Sequence, residues 1–313
     1  MFFRHPLQQV GHPLRDDLSP PLLRHPKCNP PPVLQILGGR YIGNLKWIVS
    51  LQYPTKDGSL QHICTGSLLT NQLILTAAHC MFNEFGRQIN ESLIAVKQSR
   101  NTLHDSTEPA RVDYTVIHED YHVTNSLDPR FLQNDIAVLR LARAILLNDR
   151  QGVIALPSEP FVIGPNTAAM AAGWGYTTRY VKKEDDPERD PATLPRQLMQ
   201  APVDILPLED CQSYYSGGTF SVSANMFCIN STITDICKGD SGGPVFQNCW
   251  DSRTRKIVNR IIGVVSASSE GCGAPDGVSI LTNVPKHFAF INRVIDGQAE
   301  QIRIQREEAQ QIG

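Results

Sequence analysis

An all-β fold closed by one helix is what this 313-residue sequence predicts, and three observations predict it. Short apolar stretches recur along the chain at "KWIVSLQY", "LILTAA", "DIAVLRL", "AAMAAGWG" and "RIIGVVSA". Gly, Pro, Asn and Asp turns separate them, which is the texture of a β-sandwich or barrel. Only "KHFAFINRVI", near the end, carries apolar residues at helical spacing.

The elements follow in order. Residues 1–35 hold eight of the 22 prolines and no sustained apolar period, so they read as an extended or largely disordered leader. The strand-rich texture starts at Ile36 and runs to about residue 296 as one domain, and residues 297–313 form a polar tail. "RYVKKEDDPERDP" reads as a solvated surface loop inside the domain. An apolar share of 41% is enough for a core. The 29 basic and 31 acidic residues lack long single-sign blocks, which argues against nucleic acid or an acidic membrane as partner. No apolar run reaches the roughly 18 to 20 residues that span a bilayer.

Eight cysteines without a CxxC pair or alternating histidines favour disulfides and an oxidising compartment. Sequons at Asn90 and Asn230 fit secretion, the expected location. "MFFRHPLQQV" offers no apolar stretch of signal-peptide length, so export would use a start not visible here or another route.

Three motifs compete for the chemistry. "HEDYH", His118 to His122, satisfies HExxH, but it follows a strand-like "ARVDYTVI" and precedes "VTNSLDP", which cannot continue a helix; solvated histidines are the better reading. "GDSGG" satisfies GxSxG with Asp276 and His287 downstream, yet that nucleophile elbow needs alternating strands and helices. The third reading takes His79 from "LTAAHC", Asp135 from "NDIAVLRL" and Ser241 from "CKGDSGGP". A serine hydroxyl needs an imidazole to take its proton and a carboxylate to hold that imidazole. The backbone N–H groups of Gly239 and Ser241 can converge on one oxyanion.

At this point the chain resembles the trypsin-like (chymotrypsin-fold) serine protease family, with "ILGG", "TAAHC", "NDIAVL", "GWG" and "GDSGGP" in the family's order between Ile36 and about Ile295. The resemblance implies two six-stranded antiparallel β-barrels with the catalytic residues in the cleft between them. It implies disulfides Cys64 to Cys80, Cys211 to Cys228 and Cys237 to Cys272. Cys28 and Cys249 are left over; a bond between them would tether the leader, because Ala155 stands where relatives keep the usual partner. Free thiols or a bond to another chain are the alternatives.

The resemblance also implies a primary pocket with Asp235 at its base, walled by Ser266, Ser268 and Ser279. The carboxylate favours an Arg or Lys side chain, while two hydroxymethyl groups, where glycines are usual, narrow the slot. "QSRNTLHDSTEPAR" offers too few clustered oxygens for calcium, so no metal and no cofactor is expected. The expected function is a serine endopeptidase made as a precursor, with protein substrates and protein inhibitors as partners. Cleavage between Gln35 and Ile36 would free an α-ammonium to pair with Asp240. Gln35 is not basic, so the implied activating protease is not of trypsin specificity. The alternative is the same fold kept as a weakly active or non-catalytic binding protein.

Overall fold

The computed structural model describes residues 24–25, 45–98, 108–123, 132–147, 152–157, 161–165, 167–176, 194–195, 197–218, 221–230, 236–251, 255–268 and 277–297. Among them the strands are β1 (Arg24–His25), β2 (Ile48–Pro54), β3 (Leu60–Leu68), β4 (Leu73–Thr76), β5 (Ala95–Gln98), β6 (Ala110–Ile117) and β7 (Ala137–Leu141). They continue with β8 (Leu156–Pro157), β9 (Ala169–Gly173), β10 (Met199–Ile205), β11 (Met226–Asn230), β12 (Pro244–Asp251), β13 (Lys256–Ser268) and β14 (Val278–Asn283). Six of them close one barrel in the order β2-β3-β4-β7-β6-β5, and six close another in the order β10-β11-β14-β13-β12-β9. Closure leaves neither sheet with an unpaired edge.

Among the described residues, two α-helices accompany the barrels. The expected closing helix, α2, occupies 288–297. A seven-residue helix, α1 (Leu208–Tyr214), was not expected. It is too short to show a period, buries only Cys211, and is fastened to β11 by the Cys211–Cys228 disulfide. In the leader, β1 lies parallel to β8, with Arg24 opposite Leu156. The rest of the leader, the Gln35–Ile36 junction and the tail lie outside the described residues.

One apolar cluster runs from the first barrel into the second. Trp47, just before β2, meets Phe246 of β12 edge-on at 5.1 Å, and Trp174, Ile261, Val264, Phe290 and Ile291 join the same cluster. Each fully buried Leu, Ile or Phe contributes roughly 1.5 to 3 kcal/mol. The barrels therefore stabilise each other, and α2 is held by the shared core.

Strand β3 carries a bulge. Leu51 faces Cys64 while the next residue, Gln52, faces His62, so Ile63 is an extra residue on β3. His62 is buried, reaches across to the other barrel, and places its Nε2 2.9 Å from the Gly239 carbonyl oxygen and its Nδ1 2.8 Å from Ser50 Oγ. A carbonyl only accepts, so Nε2 carries the proton and the Ser50 hydroxyl donates to Nδ1. Ser50 Oγ in turn accepts from Gln52 Nε2 at 3.1 Å.

Burial pushes the His62 pKa from 6.5 to about 4, against a smaller opposing effect of the Gly239 hydrogen bond. The unfolded chain thus binds a proton between these values that the folded chain refuses. The corresponding stability is complete above pH 6.5, declines as the pH falls toward about 4, and changes no further below that. Urea unfolding across this range should show a loss on the order of 3 kcal/mol from this group. That component should be absent in His62→Gln; an unchanged pH profile in the variant would refute the assignment.

Candidate active site

His79 sits on a single 3-10 turn, Ala78–Met81, directly after β4. The Cys64–Cys80 disulfide ties this turn to β3, and by the chain-entropy account a loop of 16 residues is worth about 3 kcal/mol. Asp135 stands just before β7 with 0% exposure. Its backbone approach is fixed by Asn134, which adopts φ 52° and whose Oδ1 accepts from Asn225 Nδ2 at 3.1 Å. Asn tolerates the left-handed region better than most residues.

A buried carboxylate is costly unless donors surround it. Asp135 Oδ1 accepts from the His79 backbone N–H at 2.9 Å. Its Oδ2 accepts from His79 Nδ1 at 2.7 Å and from the Ser266 hydroxyl at 2.5 Å. Its backbone oxygen accepts from Thr282 Oγ1 at 2.8 Å. Burial disfavours the His79 imidazolium, but the Asp135 charge and the shared hydrogen bond outweigh it and raise the pKa above 6.5. With Nδ1–H committed to Asp135, neutral His79 keeps its lone pair on Nε2.

The Cys237–Gly243 loop supplies the third group. Asp240 Oδ1 accepts from Gly175 N–H at 2.7 Å and Oδ2 from Cys237 N–H at 3.0 Å. A Cβ on Gly175 would lie 2.1 Å from that carboxylate, so only glycine fits. The Ser241 carbonyl accepts from Thr65 N–H at 2.8 Å. Gly242, at φ 75°, would place a Cβ 2.0 Å from Thr76 Oγ1, three residues before His79. The loop is therefore seated against the strand end that carries the imidazole. The Ser241 hydroxyl makes no hydrogen bond to His79 among the described residues.

The loop's amides divide cleanly. Those of Asp240, Gly242 and Gly243 donate to Cys237, Val265 and Asp240 carbonyls at 2.9, 2.8 and 2.8 Å. Those of Gly239 and Ser241 have no acceptor among the described residues. Gly239 is buried and Ser241 half-buried; buried N–H groups are rarely left without an acceptor, and a pair of neighbouring free amides suits an anion.

Pocket residues fall less evenly. Ser266 is the extra residue of a bulge between Val265 and Ala267, and the bulge turns its hydroxyl onto Asp135. Ser268 and Ser279 face each other across β13 and β14; Ser279 has 0% exposure and its hydroxyl has no partner among the described residues. Asp235, Ile36, Cys28 and Cys272 lie outside the described residues. Cys237 and Cys249 are both disulfide-bonded. The sulfurs of Cys64 and Cys80 lie with a His79 nitrogen inside 4.8 Å, but their disulfide leaves no thiolate for a metal. His118 and His122 are not helical; Glu119 of that motif pairs with Arg293 at 2.6 Å.

Sequence reasoning missed Ser266 as a donor to Asp135, and it missed Thr65, Thr282 and His62 altogether. Bulges and cross-barrel contacts leave no spacing signal in one sequence. No described helix is long and apolar enough to cross a membrane.

Known proteins resemble the chain over most of its length. Trypsin of Sarcophaga bullata is 26% identical over 260 residues, covering 82% of this chain and 89% of its own. The venom peptide isomerase heavy chain of Agelenopsis aperta is 27% identical over 220 residues, covering 68% of this chain and 82% of its own. The family model described as Trypsin matches residues 39–291, which with the paired barrels makes this chain a member of the trypsin family.

Proposed function

We propose that the protein is a serine endopeptidase working through an acyl-enzyme, with Ser241 as nucleophile, His79 as base and then acid, and Asp135 as the carboxylate that orients the imidazole. One observation supports this: a fully buried Asp135 receives His79 Nδ1 at 2.7 Å, beside a serine loop whose Gly239 and Ser241 amides lack acceptors among the described residues. Ser241 Oγ attacks the scissile carbonyl carbon while its proton moves to His79 Nε2. The new oxyanion accepts from the Gly239 and Ser241 amides. His79 then passes the proton to the departing amine as the C–N bond breaks, and water repeats the sequence on the ester.

Asp235, six residues before Ser241 in the chain, gives the pocket a basic preference, while Ser268 and Ser279 make it narrow. The Gln35–Ile36 bond is the activation site. The freed Ile36 ammonium pairs with Asp240, whose carboxylate lies within the same loop as both oxyanion donors, so one cut orders the whole site. The activator is a protease of other than tryptic specificity, the mature protein is secreted, and a Cys28–Cys249 bond keeps the leader attached.

A fluorophosphonate should label Ser241 in protein cleaved at Ile36 and leave Ser241→Ala unlabelled. Unlabelled mature wild type would hand the case to the non-catalytic binding reading. Asp135→Asn should lower kcat by about 10,000-fold through the wrong imidazole tautomer, seen by single-substrate kinetics. Terminal sequencing after trypsin treatment should never return Ile36 as the new N-terminus, since the residue immediately before it is Gln35 and the nearest upstream basic residue is Lys27; recovery of that terminus would contradict the activation scheme.

A further inference from the structure

The two peptides that flank Gly239 are pinned from outside the loop. On the Lys238 side, the carbonyl oxygen accepts from Tyr176 N–H at 3.0 Å. On the Asp240 side, the Gly239 carbonyl accepts twice, from His62 Nε2 at 2.9 Å and from Thr65 Oγ1 at 3.0 Å, and the Asp240 N–H is taken by Cys237 O at 2.9 Å. Gly239 is left at φ 102°, a conformation a free glycine exchanges readily for others. With both neighbouring peptides held, its unpaired N–H has one direction.

Thr65 is unusual in how completely it serves this loop. It has 0% exposure, its N–H donates to Ser241 O at 2.8 Å, and its hydroxyl donates to Gly239 O. Its own carbonyl accepts from Thr76 Oγ1 at 2.9 Å, the atom against which Gly242 packs. One residue of the first barrel thus holds the residues that carry both unpaired amides of the second.

The geometry points to Thr65 as a positioning residue whose hydroxyl fixes the Gly239 peptide and so aims the Gly239 amide at the developing oxyanion. It rests on the serine endopeptidase reading above. Thr65 touches no substrate; it acts through the Gly239 carbonyl, by occupying the lone pair that His62 leaves open. A negative charge appears on the substrate oxygen only during reaction, so a misaimed donor lowers kcat and spares ground-state binding.

Thr65→Val removes the hydroxyl and keeps the branched shape. Assayed on the best substrate from a P1-diversified fluorogenic peptide library, the variant should lose about 10-fold in kcat with KM within about twofold. A peptide aldehyde of the same sequence, which forms an oxyanion when bound, should weaken in parallel. Thr65→Ser should restore kcat to within about threefold, because it returns the donor. If Thr65→Val does not accumulate folded, Thr65→Ala carries the same expectation. Unchanged kcat, a change in KM alone, or failure of serine to rescue would each overturn the assignment while leaving the endopeptidase intact. Absent turnover and labelling in wild type would remove both.

Discussion

A carboxylate without solvent is the constraint around which this molecule is arranged. Asp135 has 0% exposure, and a lone charge in that position would not persist. The carboxylate's donors come from both barrels: two from His79 on the turn after β4 and a hydroxyl from Ser266 on β13, while Thr282 on β14 donates to the Asp135 backbone oxygen. Satisfying one ion therefore requires the two barrels to be in register with each other. The same requirement fixes the imidazole, since the atoms that neutralise the carboxylate are the atoms that orient His79.

The second organising contact runs the other way. Where the second barrel lends hydroxyls to Asp135, the first lends His62 and Thr65 to the Gly239–Gly243 loop. The exchange is reciprocal, and the apolar cluster that passes through Trp47 and Phe246 gives it a stiff backing. A site divided between two bodies is accurate only to the accuracy of their packing, and here each body holds groups of the other in place.

Much of this was legible in the sequence and part was not. The strands at "LILTAA", "DIAVLRL" and "RIIGVVSA" announce themselves by composition, and α2 by its period, because burial acts on residues a few positions apart. The order of pairing is set by contacts among distant residues and entered only through likeness to a family. His79, Asp135 and Ser241 sit in motifs whose spacing is visible. Ser266 reads as a pocket residue in the sequence, and its donation to Asp135 is invisible there because it depends on a bulge in β13. The helix α1 escaped notice because its seven residues bury one cysteine and little else. His62 and Thr65 look like ordinary polar positions of a strand, since what they touch is 177 and 174 residues away.

The extra residue in β3 has a consequence for how such a chain can vary. Residues 62 and 65 are an odd number apart, and in an unbroken strand they would face opposite sides of the sheet. Ile63, looped out of the pairing with β2, lets both converge on a single carbonyl oxygen. The hairpin tip between Pro54 and Leu60 is exposed, so a length change there would be taken up in solvent. Drawing Ile63 into the ladder, by contrast, would restore plain alternation along β3 and turn residue 62 to the face opposite residue 65, so what matters there is how many backbone units of β3 pair with β2 as well as the side chain that packs on the core.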